Sequence, residues 1–171
     1  MKRAPLACAA IPMFALTVAS TVSLPKKLIY NASASASIGF YWLDHRPIER
    51  GDYVFVRVPE RVRNLVEERG YLPADVPLIK RVAGIDGDVI CRCGLTVSIN
   101  AIAVAMVEKA DGLGRPLPDW QGCRVLSEGQ VFLLQDHPRS FDGRYFGPVD
   151  RRLVIGRATK LRSLWRKREP N

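Results

Sequence analysis

The chain has 171 residues, of which 47% are apolar and 25% charged, a composition typical of one globular domain with a proper core. Lys and Arg number 26 and Asp and Glu 17, which gives a formal net charge of +9 and favours anionic partners. The sequence contains no zinc-ligand spacing, no basic heptads and no aromatic residues interleaved with basic ones, so direct binding to nucleic acid is not expected.

The N-terminal segment is apolar and flanked by positive charges. Residues 4–24 contain no charged side chain, and basic residues precede and follow them. This arrangement is typical of an export signal or a short membrane anchor. Small residues near Ala19 form a candidate cleavage site. We therefore predict that residues 1–27 are a signal peptide or a retained anchor, and the sequence leaves both open.

A run of alternating serines follows this segment. Residues 31–42 read NASASASIGFYW, with Ser33, Ser35 and Ser37 at every second position. In an extended chain alternate side chains share one face, so one serine can attack a substrate while a neighbour donates a hydrogen bond. Runs of Ala and Ser are more often flexible linkers. A nucleophile here therefore needs a base from elsewhere in the chain.

The next elements are a strand and a helix. Residues 53–58 alternate and carry aromatic and β-branched side chains, which predicts a β-strand. Residues 60–70 place Val62, Leu65 and Val66 on one face and end at a glycine. This pattern predicts one short amphipathic helix.

A lysine then lies within an apolar strand, PLIKRVAG, before the turn IDGD. In a strand Lys80 shares a face with Leu78 and Val82, and Arg81 points the other way. A free lysine has a pKa of about 10.4, and burial in apolar surroundings lowers that pKa by several units. A buried lysine is costly unless it is paired or neutral. Lys80 is therefore a candidate general base for a serine nucleophile.

The rest of the chain predicts further short strands. We expect two or three strands and a Gly/Pro-rich loop between residues 91 and 123, a buried strand at 131–136, a polar loop at 137–149 and a last strand at 151–159. Frequent turns between short strands predict a mainly β domain over residues 28–160, a folded sheet or small barrel with one short helix. Residues 161–171 form a basic tail, either frayed in solvent or lying against anionic lipid.

Three cysteines follow the N-terminal segment. In an oxidising compartment either Cys91 or Cys93 is expected to form a disulfide with Cys123, and the sequence leaves the choice open. These cysteines lack the spacing of a tetrahedral metal site, and His45 and His137 do not complete one. No metal is predicted.

Several motifs resemble the type I signal peptidase family over about residues 29–157. The segment KRVAGIDGD resembles that family's K-R-V-x-G-x-x-G-D motif, GDYVFV resembles another, and SFDGRYFGPV resembles S-x-D-S-R-x-x-G-x-V. The segments YNASASASIGFY, RGYL, GRPLPDWQGC and RSFDGRYFGPV are more closely similar to the conjugative-transfer branch of the family. The resemblance implies a signal-peptidase-like fold.

The resemblance also implies roles for individual residues. Counted from both ends of the serine segment, Ser35 falls on the branch's nucleophile and Ser33 on the hydroxyl that assists the oxyanion hole, with Lys80 as general base. Ser37 stands where the branch usually has proline and remains an alternative nucleophile. Asp142 and Arg144 are expected to support the lysine strand through a charge pair and hydrogen bonds, and Asp136 is a weaker candidate for the same support.

The implied function is that of an exported Ser/Lys endopeptidase of a plasmid conjugation system, in the periplasm at or attached to the outer face of the inner membrane. Its implied partners are the precursor of the conjugative pilin and the membrane surface, with no cofactor. The precursor would be hydrolysed or closed into a ring, and the sequence does not separate the two. The alternatives are a general signal peptidase and a non-catalytic assembly protein of the transfer apparatus.

Overall fold

The computed structural model describes residues 27–33, 35–73 and 76–161. Nearly all of the segment predicted to be a signal or anchor lies outside the described residues, as does the tail beyond Leu161. Both stay predictions. No helix in the described ranges is long and apolar enough to cross a membrane.

Short antiparallel strands make up most of the described chain, which confirms the mainly β prediction. They are β1 Leu28–Asn31, β2 Gly39–Asp44, β3 Tyr53–Val56, β4 Leu78–Gly84, β5 Val89–Cys93, β6 Thr96–Ile99, β7 Ile102–Met106, β8 Gly122–Val125, β9 Gln130–Leu134, β10 Val149–Asp150 and β11 Val154–Lys160. A seven-stranded sheet has the order β1-β2-β11-β3-β4-β9-β10, and a four-stranded sheet has the order β7-β6-β5-β8. The larger sheet places β4, with Lys80, between β3 and β9.

The predicted helix is present as α1, Glu60–Glu68. Its buried residues Val62 and Val66 pack in one cluster with Val54 and Val56 of β3. The helix ends before Gly70, whose φ of 63° is the left-handed conformation that glycine adopts readily after a helix. Spacing of the apolar residues was therefore a sound guide to this element.

The segment at 137–149 differs from the polar loop that we predicted. It contains a helical turn, α2 at Gly143–Phe146, and the strand β10, and most of its second half is buried. Phe141 stacks on Tyr145, with ring centroids 5.5 Å apart, and meets Phe146 edge to face at 5.9 Å. The aromatic residues are interspersed with charged residues, which find their hydrogen-bond partners within the segment. The sequence pattern therefore looked polar and gave no sign that the segment is buried. The prediction of one helix was incomplete for the same reason.

The last strand begins later than predicted, because residues Arg151–Leu153 form a turn of 3-10 helix before β11. Asp150 caps this turn by accepting a hydrogen bond from the backbone N–H of Arg152. The strand β11 then pairs with both β2 and β3 and so lies in the middle of the larger sheet.

Candidate active site

Lys80 lies on β4, an interior strand of the larger sheet, and is 2% exposed. Strand pairing sets it opposite Val54 of β3, and its face of the strand also carries the buried Val82. Its Nζ donates a hydrogen bond of 2.7 Å to the Oγ of Ser140. Arg81, one residue along, is turned to the other face, as the alternation of a strand requires.

The surroundings of Lys80 favour its neutral form. Burial lowers the pKa of Lys80 from 10.5 to about 8; the negative charge of Asp142 opposes this shift and the positive charge of Arg144 adds to it. At pH 7 about a tenth of the molecules then carry a neutral amine. Such an amine can accept a proton from a hydroxyl group.

The serine segment between β1 and β2 is organised around the side chain of Asn31. Its Oδ1 accepts a hydrogen bond from the Ser33 backbone N–H at 3.1 Å, and its Nδ2 lies 3.0–3.2 Å from the carbonyl oxygens of Ser33, Ala36 and Ser37. The hydroxyl of Tyr41 also donates to the Ser37 carbonyl at 2.8 Å. These bonds hold the segment in shape although serine stands at 37 where the family branch usually has proline.

Ser33 and Ser35 lie side by side. Their Oγ atoms are 2.7 Å apart, and the backbone N–H of Ser35 donates to the Oγ of Ser33 at 3.2 Å. Ser35 is partly buried, whereas the side chain of Ser37 is exposed. The alternate serines therefore do not share one face, because the segment is a turn around Asn31 and not an extended strand.

One cavity brings the two candidate reacting groups together. Ser35 and Lys80 both line it, with Ser33 and Ser140, and its volume is about 340 Å³. The remaining wall is mostly apolar and includes Val66, Leu72, Leu78, Leu117 and Phe141. Ser37 is not among the lining residues. Ser35 and Lys80 are not hydrogen-bonded to each other in this structure, because their side chains bond to Ser33 and Ser140 instead.

Asp142 is fully buried and fixes the chain on either side of Ser140. Its Oδ1 accepts a hydrogen bond from the backbone N–H of Arg144 at 3.1 Å, and its Oδ2 accepts one from the backbone N–H of Gln135 at 3.0 Å. Burial raises the pKa of Asp142, against the lowering effects of Lys80 and Arg144. Gln135 in turn donates from its side chain to the carbonyl of Ile79, next to Lys80.

Arg144 acts on the same segment from the other side. Its guanidinium donates to the backbone carbonyls of Gln135, His137 and Pro138, and its Nε lies 3.4 Å from the Oδ1 of Asp142. The Asp142–Arg144 pair therefore holds the loop that presents Ser140, and through Ser140 it supports Lys80.

Asp136 contacts the lysine strand through a charge pair, as expected of a supporting residue. It forms an ion pair of 2.7 Å with Arg81, on the face of β4 away from Lys80. Asp136 is therefore linked to the lysine strand without any hydrogen bond or ion pair to the lysine itself.

Gly143 stands where the family motif has its second serine. A Cβ atom at this position would lie 2.6 Å from the carbonyl oxygen of Leu133 and 2.8 Å from the ring of Phe132. The helical turn α2 packs so closely on β9 that any side chain there would displace its neighbours. Glycine at this position therefore fits the close approach of α2 to β9 in this chain.

The structure joins Cys91 to Cys123 by a disulfide, between directly paired residues of β5 and β8, and leaves Cys93 free and exposed. The chain between the bonded cysteines contributes Glu108, Asp111 and Leu117 to the cavity wall. Within the described ranges no group of three or more His, Cys, Asp or Glu side chains is placed to hold a metal ion.

Sequence reasoning missed Asn31, Gln135 and Ser140. Asn31 and Ser140 do stand in the quoted motifs, as the second residue of YNASAS and the first of SFDGR, and those positions were the available signal. Gln135 had no such signal, because its contact with Ile79 joins residues 56 positions apart.

Comparisons with known proteins agree with these motifs. The family model described as signal peptidase, peptidase S26, matches residues 2–162. Plasmid transfer protein TraF of Escherichia coli is 38% identical over 136 residues, which cover 73% of this chain and 77% of that protein. Conjugal transfer protein TraF of Agrobacterium fabrum strain C58 is 28% identical over 169 residues, 92% of this chain and 94% of that protein.

Among solved structures, a signal peptidase I from Enterococcus faecalis V583 superposes with a TM-score of 0.41 and 21% sequence identity. The superposition covers 67% of this chain and 98% of that one.

Proposed function

Because the chain belongs to the signal peptidase S26 family, we propose that it is a serine endopeptidase in which Ser35 is the nucleophile and Lys80 the general base. One observation carries the assignment of residues: Ser35 and a buried lysine with a pKa of about 8 line the same apolar cavity. We further propose that its substrate is the pilin precursor of a conjugation system, since relatives matching most of this chain are named transfer proteins.

The first chemical step is attack by Ser35. Neutral Lys80 takes the proton from Ser35 Oγ as that oxygen bonds to the substrate carbonyl carbon. For this the Ser35 hydroxyl turns from Ser33 towards Nζ, a tightening that is common when substrate binds. Protonated Lys80 then gives the proton to the departing amine, and an acyl-enzyme ester remains.

The developing oxyanion has two donors beside the nucleophile. The backbone N–H of Ser35 and the hydroxyl of Ser33 bond to each other in the free protein. A substrate oxygen would replace that mutual bond and accept from both. A donor of this kind is typically worth about 3 kcal/mol of transition-state stabilisation.

The second step releases the acyl group. Lys80 takes a proton from the water that attacks the ester and gives it to Ser35 Oγ as the ester C–O bond breaks, which yields a linear product. If the N-terminal amine of the chain held as the ester attacks in place of water, that chain is closed into a ring. Both outcomes use the same two residues.

We also propose that the outer face of β1 and β2 lies on the periplasmic surface of the inner membrane. Leu28, Tyr30, Phe40 and Trp42 are 43–56% exposed, and strand pairing sets Leu28 against Trp42 and Tyr30 against Phe40. Tyr and Trp favour the membrane–water interface. β1 also follows directly on the apolar N-terminal segment and Lys27.

Precursor processing in cells tests the catalytic assignment. We expect Ser35→Ala and Lys80→Ala to abolish both maturation of the pilin precursor and mating, and Ser37→Ala to retain them. If Ser35→Ala still matures the precursor and Ser37→Ala does not, the nucleophile is Ser37. Normal mating with Ser35→Ala would favour the non-catalytic assembly role.

The mass of the mature pilin distinguishes the two products. A ring weighs one water less than the linear chain of the same residues.

Vesicle flotation tests the membrane face: Tyr30→Ser with Trp42→Ser should weaken binding to phosphatidylglycerol vesicles, and substitution of exposed Leu113 by serine serves as the control. Equal binding by both variants would contradict the proposed orientation.

A further inference from the structure

The strand β7 is an unprotected edge of the four-stranded sheet. Residues 101–107 carry no charge, and Ile102, Val104 and Met106 are 68%, 44% and 62% exposed. Apart from its pairing with β6, the backbone of β7 has no hydrogen-bond partner in the described part of the chain. Apolar edges of this kind are sites where another strand pairs, and proteins usually block them with charge or proline.

The opposite edge of the same sheet is protected. β8 carries Arg124, whose guanidinium lies 5.2 Å from the centroid of the Trp120 ring, and it is joined to β5 by the Cys91–Cys123 disulfide. It also has an exposed apolar residue, Val125. Only the β8 edge carries a charged side chain. Each edge has an exposed valine, Val104 on β7 and Val125 on β8, so the same substitution can be made on both.

A groove of about 790 Å³ runs along β7. Its floor is formed by apolar residues of β4 and β9, Val82, Ala83 and Leu134, facing Ala103–Met106. The charged side chains on its walls are Arg50, Arg81, Asp136 and Arg144, and each has an ion-pair partner. The groove thus suits an uncharged extended chain and offers no free charge to a charged one.

The groove and the active-site cavity are lined by neighbouring residues: Pro138 and Arg144 line the groove, and Arg139 and Tyr145 line the cavity. β7 ends two residues before Glu108, which lines the cavity with Ser35 and Lys80, and the Glu108 backbone N–H is held by the Tyr145 hydroxyl at 3.2 Å. Two residues of extended chain span about 7 Å. Gln135 and Arg144, which hold the Ser140 loop, also line the groove. An extended peptide bound along β7 would therefore end within a few residues of the cavity wall at Glu108.

A register shift on β7 fits this role. Val97 of β6 is opposite Ala105 while its neighbour Ser98 is opposite Ala103, which leaves Val104 without a partner. Such bulges re-aim a side chain and are frequent beside active sites. Here the unpaired residue, Val104, lines the groove.

We propose that β7 is a docking edge for an uncharged, extended segment of the peptide substrate. The segment adds as a further strand to the four-stranded sheet while the scissile bond lies at Ser35. Main-chain hydrogen bonds supply affinity in this mode, and the groove selects small or apolar side chains. The inference rests on the proposed peptidase function, because it assigns where the rest of that substrate binds.

Binding to the full chain carrying Ser35→Ala tests the edge without chemistry. The probe is a fluorescein-labelled peptide with an uncharged run of alternating Val, Ala and Thr, followed by fluorescence anisotropy. We expect Val104→Arg to raise Kd about tenfold and Val125→Arg to leave it unchanged. A second probe is N-methylated on alternate amides. Its Kd for the chain with Ser35→Ala alone should be at least as high as the Kd of the first probe for Val104→Arg. Equal Kd for both arginine variants, or for both probes, would overturn the proposal.

Two further measurements separate the alternatives. If sedimentation velocity shows a dimer that Val104→Arg dissociates and Val125→Arg does not, β7 is an interface between copies of the chain and the docking proposal is wrong. The N-methylated probe needs no substitution near the edge, so the test survives if Val104→Arg misfolds. Precursor processing is measured separately. If the protein does not process the precursor, the proposed function is wrong, whereas peptide binding by Ser35→Ala tests only the docking edge.

Discussion

The Nζ of Lys80 donates to the Oγ of Ser140 at 2.7 Å, and both side chains are almost fully buried. A neutral lysine amine has two N–H donors and one lone pair. Committing a donor to Ser140 limits the directions that the lone pair can take. In the proposed mechanism the lone pair faces Ser35 when the serine loses its proton, so Ser140 is placed to orient the base.

Replacing Ser140 should therefore slow the reaction through Lys80. We expect Ser140→Ala to lower kcat by about 10- to 100-fold with a smaller change in KM, because general-base catalysis depends on positioning. Steady-state cleavage of a precursor peptide measures both constants. Ser127→Ala, at an exposed serine on the turn before β9, is the matched control. An unchanged kcat in Ser140→Ala would exclude an orienting role.

The rate should depend on pH through Lys80. Because burial lowers the pKa of Lys80 to about 8, the neutral base is the minor form at pH 6 and the major form at pH 9. We expect kcat/KM to rise about tenfold per pH unit below pH 8 and to level off above it. A midpoint near the ordinary lysine value of 10.5 would contradict the role of burial. Circular dichroism at each pH excludes unfolding as the cause.

Asp142 should tune that midpoint. Its negative charge raises the pKa of Lys80, so Asp142→Asn should move the rise in kcat/KM to lower pH. The carboxylate of Asp142 accepts hydrogen bonds from two backbone N–H groups, and the NH2 of asparagine cannot accept one of them. Loss of that hydrogen bond should destabilise the fold by about 1–3 kcal/mol. pH–rate profiles and thermal unfolding measure the two effects.

Asp136→Asn is the control for this change, because Asp136 is exposed and pairs with Arg81 on the other face of β4. It should leave the midpoint of the profile where it is. A shift to higher pH in Asp142→Asn would mean that structural damage outweighs the charge effect.

The sequence predicted those features that depend on neighbours along the chain. The alternation around Lys80 placed it inward and Arg81 outward, and the spacing of Val62 and Val66 predicted α1. The burial of the segment holding Ser140 was not predictable in this way. Its polar groups are satisfied by bonds within the segment and to Gln135, and composition alone cannot distinguish satisfied polar groups from solvated ones.

The serine segment shows the same limit. Alternation predicted that Ser33, Ser35 and Ser37 share a face, whereas the Asn31 side chain wraps the segment into a turn and leaves Ser37 in solvent. The choice of Ser35 came from the family resemblance, and the structure places Ser35 in the cavity with Lys80. Geometry inside a turn is fixed by side-chain bonds to the backbone, which periodicity does not encode.

The disulfide should stabilise the wall of the cavity. Cys91 and Cys123 are 32 residues apart in sequence, and closing a loop of that length stabilises a fold by about 3–4 kcal/mol in the chain-entropy model. We expect Cys91→Ser with Cys123→Ser to lower Tm and raise KM, because Glu108, Asp111 and Leu117 of the cavity wall lie within the loop.

Cys93→Ser provides the control for the disulfide, since it removes the free, exposed thiol two residues from Cys91 and leaves the bond intact. It should leave Tm unchanged, and added reductant should lower the Tm of Cys93→Ser to that of the double variant. A Tm of Cys93→Ser that does not respond to reductant would show that the bond contributes nothing to stability. A lower Tm without a change in KM would mean that the loop keeps its shape around the cavity without the bond.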